Sequence, residues 1–140
     1  MTATGVLHAT FAENLAPLGT PEWWLAAFGL TNGGCAAAEL DDADSDRVPA
    51  WQEWLADTVP TDRLSVLAIT GITPTNGGFR VEWIGGTAAW QRLRFRPDLL
   101  STVEQWRAVF THLPPTAITN WLYDPSATNV AGFYRIEAGR

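Results

Sequence analysis

At 140 residues the chain has the length of one ordinary domain, or of a small module joined to a larger one, and 46% hydrophobic content is enough for a real core. Its net charge of −6, with much of the acid between Glu39 and Asp62, argues against nucleic acid, which needs a basic face, and is compatible with a cation ligand. There is no apolar run of about 18 residues to span a membrane, the single Cys35 excludes an intrachain disulfide, and Met-Thr-Ala-Thr-Gly is not a signal peptide.

The first element in chain order is Val6 to Ala12, a short apolar run of β character, ended by Pro17 and by Gly19-Thr20-Pro21. Thr20 is a good N-cap with Pro21 at the first helical position, and the spacing predicts a helix over 21–29 carrying Trp23, Trp24 and Phe28. Gly29 and Asn32-Gly33-Gly34 stop it. A second short helix, 36–40, leads into an acidic loop, and 49–58 reads as the helix that leaves it. Trp51, Trp54 and Leu55 share one face of that helix at spacing i, i+3, i+4, and the simplest surface for them is Trp23, Trp24 and Phe28.

After Val59-Pro60-Thr61-Asp62 the period changes to two. Strands are expected at 64–72, 79–84, 89–95, 117–123 and 132–138, with Asn76-Gly77 as a hairpin turn and Gly85-Gly86 turning the chain. Phe79, Val81 and Trp83 alternate with Arg80 and Glu82, so the first three face a core. The stretch 104–111 fits a helix through Trp106, Val109 and Phe110, or a strand through Trp106, Ala108 and Phe110. Short strands bounded by turn signals imply a mainly β chain, an antiparallel sandwich preceded by a small helical segment. The divisions are 1–19, 20–62 and 63–140.

The acidic loop carries the chemistry. Asp42 to Glu53 reads D-A-D-S-D-R-V-P-A-W-Q-E, with carboxylates at the first, third, fifth and twelfth positions. That is the ligand order of an EF-hand-type calcium loop. Calcium is a hard cation taking about six to eight oxygens, and a chain curling round it offers alternate side chains and then a backbone carbonyl. Asp42, Asp44 and Asp46 would supply the first oxygens, Val48 its carbonyl, and Glu53 the closing bidentate carboxylate. The sixth position needs a positive φ and is ordinarily Gly; here Arg47 strains the turn and brings a cation near the ion. The other reading of the loop is an acidic helix cap, with Asp46 as N-cap and Pro49 in the first turn.

No catalytic constellation stands out. His8 and His112 sit in no recognisable metal or nucleophile motif, Cys35 reads as a small buried hydrophobe, and the paired glycines read as turns. The chain is therefore read as no enzyme. A second binding chemistry is open: exposed Trp90 and Trp121 as a sugar platform in a carbohydrate-binding module.

Residues 20–62, with G-T-P-E-W-W-L-A-A-F-G-L-T-N, A-A-E-L-D-D-A-D-S-D and W-Q-E-W-L-A-D-T, resemble a module of large bacterial secreted and surface proteins whose calcium loop is similar to dockerin and thrombospondin type 3 repeats. Residues 64–140, with V-E-W-I-G-G-T-A-A-W-Q, P-P-T-A-I-T-N and F-Y-R-I-E-A, resemble the fibronectin-type-III-like sandwich that follows it, and V-L-H-A-T-F-A-E resembles the last strand of a preceding repeat. The resemblance implies a non-catalytic, calcium-stabilised structural or adhesive module of a longer extracellular or cell-surface protein. It carries the ligands to Asp42, Asp44, Asp46 and Glu53. The implied partners are neighbouring domains and surface glycans or proteins, with neither nucleic acid nor membrane insertion. Arg47, Ser45 and Val59 depart from the family pattern, where Gly, Gly and an acid are usual. The sandwich stops at a sixth strand, a seventh being missing or supplied by the N-terminal segment.

Overall fold

The computed structural model describes residues 12–99, 106–127 and 132–140. The expected first strand, apart from Ala12, and His8 lie outside these residues. Three short helices come first: α1 (Glu22–Ala27), α2 (Cys35–Ala38) and α3 (Ala50–Ala56). Six strands follow: β1 (Ala68–Thr75), β2 (Gly78–Ile84), β3 (Trp90–Arg96), β4 (Arg107–His112), β5 (Thr119–Asp124) and β6 (Phe133–Gly139). They form two antiparallel sheets, ordered β1-β2-β5 and β4-β3-β6. Among the described residues no helix is long and apolar enough to cross a membrane.

The sheets share one core. Val81 and Trp83 from β2 meet Leu93 from β3, with Ile69, Phe79, Val109, Leu122, Tyr134 and Ile136 packed around them. The alternation read from 79–84 is the cause: Phe79, Val81 and Trp83 point inward and Arg80 and Glu82 outward. Asn76 and Gly77 close the β1–β2 hairpin between the paired Thr75 and Gly78, and Gly77 takes φ +92°. The ambiguity at 104–111 resolves to a strand over its described part. Leu93 pairs with Phe110 and Arg94 with Ala108, so one extra residue, Val109, bulges into β4. A bulge breaks the period of two, so Val109 packs on the core while Phe110 is 40% exposed.

The helices build a smaller core of Ala16, Trp24, Leu25, Ala38 and Ala50. Glycine shapes the end of α1. Gly29 takes φ +72°, Gly29 N–H donates to Ala26 and Leu30 N–H donates to Leu25, the paired bonds of a Schellman stop. Thr20 does not cap α1. Pro21 occupies the cap position without a side-chain bond, and the Thr20 carbonyl is held by Ala16 N–H at 2.8 Å. The expected packing of α3 is also divided. Trp54 meets Trp23 and Trp24 edge-on at 5.9 and 5.6 Å, whereas Trp51 and Leu55 line a groove with Leu67, Ile136 and Ala138. Trp51 and Leu55 are one turn apart and Trp54 lies to their side, so the short helix serves both cores.

Asp57 makes the join. It stands in the left-handed region at φ 59° just after α3, and its Oδ2 accepts Thr87 N–H at 2.9 Å and Ala88 N–H at 2.7 Å. Its Oδ1 pairs with Arg140, whose guanidinium also covers Trp54. Gly86 permits this approach, since a Cβ there would fall 2.2 Å from the Asp57 carbonyl oxygen. Asp57→Gly removes the carboxylate while keeping the backbone relaxed, and should cost about 1 kcal/mol, a typical hydrogen-bond contribution. Asp57→Asn, which keeps an acceptor, should cost less. Amide exchange in α3 should accelerate in the first variant; unchanged exchange would mean that the join lies elsewhere.

Candidate metal centre

The loop between α2 and α3 folds around its own carboxylates. Asp42 Oδ1 accepts Asp46 N–H at 3.1 Å and Asp42 Oδ2 accepts Arg47 N–H at 2.8 Å. Asp44 Oδ1 accepts the same Asp46 N–H at 3.1 Å, and Asp46 Oδ1 accepts Val48 N–H at 2.7 Å. These short-range bonds are what Asp offers a turning backbone. They curl the chain so that one carboxylate oxygen from each of Asp42, Asp44 and Asp46 lies within 4.8 Å of the others. Among the described residues this is the one such cluster of three or more potential metal ligands.

Two residues adopt left-handed backbone to make that curl, Ser45 at φ 65° and Arg47 at φ 80°. The sixth position thus has the sign of φ that a glycine would supply, and Arg47 holds it against its own Cβ. Its side chain is exposed and makes no ion pair with Asp44 or Asp46. Asp46 does not cap α3 either: Pro49 stands at the cap position and no side chain bonds there.

Glu53 enters from α3. It is 1% exposed, and neither carboxylate oxygen has a hydrogen-bond partner. Asp44 Oδ2 and Asp46 Oδ2 are also buried without partners. Burial pushes the Glu53 carboxyl up to about 8, and the charges of Asp44, Asp46 and Asp42 push in the same direction; nearby Thr58 works weakly against them. Burial likewise raises Asp44, with further contributions from Asp46 and Asp42, against a lowering contact from the Asp46 backbone. Buried carboxylate oxygens without partners are costly. Here they come from the third, fifth and twelfth loop positions, with Asp42 at the first clustered beside Asp44 and Asp46, so the residues present fit a hard divalent cation. Asp42, Asp44 and Asp46 are the side chains that the fold brings together to hold it, and Glu53 lies outside that cluster of three, coupled to it by charge. Val48 is half-buried beside them.

The other candidate residues are dispersed. Trp121 is 62% exposed on β5, with Arg80 5.0 Å from its ring, while half-buried Trp90 stands on β3 in the other sheet with Arg92 at 5.2 Å. The fold does not bring the two rings together as a platform. Cys35 is half-buried beside the helical core, and His112 tilts against Phe110 on β4. Sequence reasoning missed Asp57, because an acid after a helix gives no signal of a distant partner. Comparison with protein-family models, curated proteins and solved structures found no match.

Proposed function

We propose that the chain is a non-catalytic, calcium-stabilised structural or adhesive module of a larger bacterial surface or secreted protein. In this reading the loop is EF-hand-like, in the manner of dockerin and thrombospondin type 3 repeats, and the strands are a fibronectin-type-III-like sandwich. The observation that carries the metal assignment is the Glu53 carboxylate, buried without a partner against three aspartates. Asp42, Asp44, Asp46 and Glu53 would be the side-chain ligands, with the Val48 carbonyl completing the run. A bound cation would supply the positive charge that these carboxylates lack. The crossing order supports the sandwich type: the chain places β1 and β2 in one sheet and β3 and β4 in the other, then returns with β5 to the first and β6 to the second.

Arg47 tunes the site. Its left-handed backbone is strained and its positive charge stands near the ligands, so the affinity belongs in the extracellular range of about 10⁻⁴–10⁻³ M. Arg47→Gly relaxes the turn and removes the charge. Calcium titration followed by thermal melting should raise the melting temperature of the native protein in the millimolar range, and of Arg47→Gly at lower calcium. A melting temperature indifferent to millimolar calcium in both proteins would defeat the assignment. Saturation at a hundredfold excess over Kd corresponds to about 2.7 kcal/mol of stabilisation.

A further inference from the structure

The nine basic residues of this acidic chain are all arginine, and four of them stand on one surface. In β3, Gln91, Leu93 and Phe95 are buried, while Trp90, Arg92, Arg94 and Arg96 point away from the core. In β6, Arg135 lies opposite Arg94 and Glu137 opposite Arg92. Glu137 is the one carboxylate that the strands of this sheet place on that face. It reaches Arg94 Nε at 2.9 Å and pairs with Arg135 as well. Among Arg92, Arg94 and Arg135, one acid therefore serves two guanidiniums, and these three cations meet a single strand-borne carboxylate on a protein of net charge −6.

Trp90 and Trp106 are already covered by cations, whereas Phe133, opposite Arg96 on β6, is 45% exposed. Arg92 lies 5.2 Å from the Trp90 ring centre and Arg135 4.5 Å from that of Trp106. Arg94 donates to the Trp106 carbonyl at 3.3 Å. Capped in this way, the two tryptophans offer no open platform for stacking a nucleobase or an uncharged sugar. What the face presents is a set of planar guanidinium forks, held by rings and backbone, whose geometry matches carboxylate or sulfate. Along β3 they recur every second residue, roughly 6.8 Å apart. A linear ligand with repeated anionic groups can engage several at once, where a single small anion engages one.

We propose that the outer face of the β4-β3-β6 sheet binds an anionic polysaccharide through Arg92, Arg94 and Arg135, the carboxylate or sulfate groups displacing Glu137 from its shared role. The site is separate from the acidic loop and does not depend on calcium chemistry. Isothermal titration with hyaluronate and with dextran sulfate distinguishes a carboxylate from a sulfate ligand, with uncharged dextran and a single-stranded oligonucleotide as comparisons, all at one fixed calcium concentration. At least one anionic polysaccharide should bind, and more weakly as salt rises. Arg92→Ala with Arg135→Ala should weaken that binding at least tenfold with the near-ultraviolet circular dichroism unchanged, and Glu137→Gln should tighten it several-fold. The gain from Glu137→Gln cannot arise from a damaged fold. Equal binding of uncharged dextran, tighter binding of the oligonucleotide, or no response to both sets of substitutions would overturn the proposal, as would no binding of either anionic polysaccharide.

Discussion

Trp83→Ala is expected to lose about 3–5 kcal/mol, the range for deleting a large buried aromatic. The side chain is 1% exposed between the two sheets. It is also tied into a polar network. Its indole N–H donates to Gln91 Oε1 at 2.6 Å, and Gln91 is itself fully buried. Gln91 Nε2 donates to the Gly86 carbonyl at 2.7 Å and to Thr116 Oγ1 at 3.2 Å, while Asn120 Nδ2 donates to Gln91 Oε1 at 3.3 Å. The tryptophan thus fixes the glutamine that fastens the β2–β3 turn to the loop before β5. Domains of this size have about 5–15 kcal/mol of total stability, so the loss approaches the threshold of folding. Trp83→Phe keeps most of the apolar volume and loses the donor, and Asn120 still serves Gln91; about 1–2 kcal/mol is expected. Urea denaturation of the two variants measures both. A cost for Trp83→Ala near that of an ordinary surface change would mean that the two sheets do not depend on this residue.

The β half was legible because its signals are local. Alternation in 79–84 and Asn76-Gly77 are enough to give a strand, its inward face and a turn, and β2 follows both. The β4 stretch was not legible because its bulge is decided by cross-strand pairing with β3, which a period cannot express. The helix starts were misread for a similar reason. Thr20 and Asp46 are residue types that cap helices, but tertiary geometry gives the cap positions to Pro21 and Pro49 and uses Asp46 to hold Val48 N–H. At the acidic loop, spacing alone names the four carboxylates. It cannot tell that Glu53 is buried without a partner, because burial depends on where α3 packs. The positive φ that the spacing asks of the sixth position is the one Arg47 adopts, at 80°.

At the proposed calcium site the same buried glutamate would make the response a function of pH. In calcium-free buffer the Glu53 carboxyl of the folded protein titrates near 8, against 4.5 for an unperturbed group. Between those values the folded state binds more protons than the unfolded state, so stability falls as pH rises through the window and levels off above about 8. This is opposite to the behaviour of a salt-bridged carboxylate, whose stabilisation is lost as pH falls. The raised Asp44 adds in the same direction. Calcium bound at the proposed site would compete with the Glu53 proton, so binding would release a proton below pH 8, and the apparent affinity should drop roughly 50-fold from pH 8 to pH 6 if Glu53 alone is counted. Glu53→Gln separates the two effects by sign. Without calcium at pH 9 the variant should be more stable than the native protein, because no buried charge remains to repel the aspartates. With saturating calcium it should be less stable, having lost the closing ligand. Calorimetric titration at pH 6, 7 and 8 in buffers of different ionisation enthalpy counts the protons released, and melting curves of both proteins at pH 9 test the crossing. An affinity that does not change with pH, together with a Glu53→Gln protein that responds to calcium as the native one does, would remove Glu53 from the site and leave the three aspartates as a self-bonded turn.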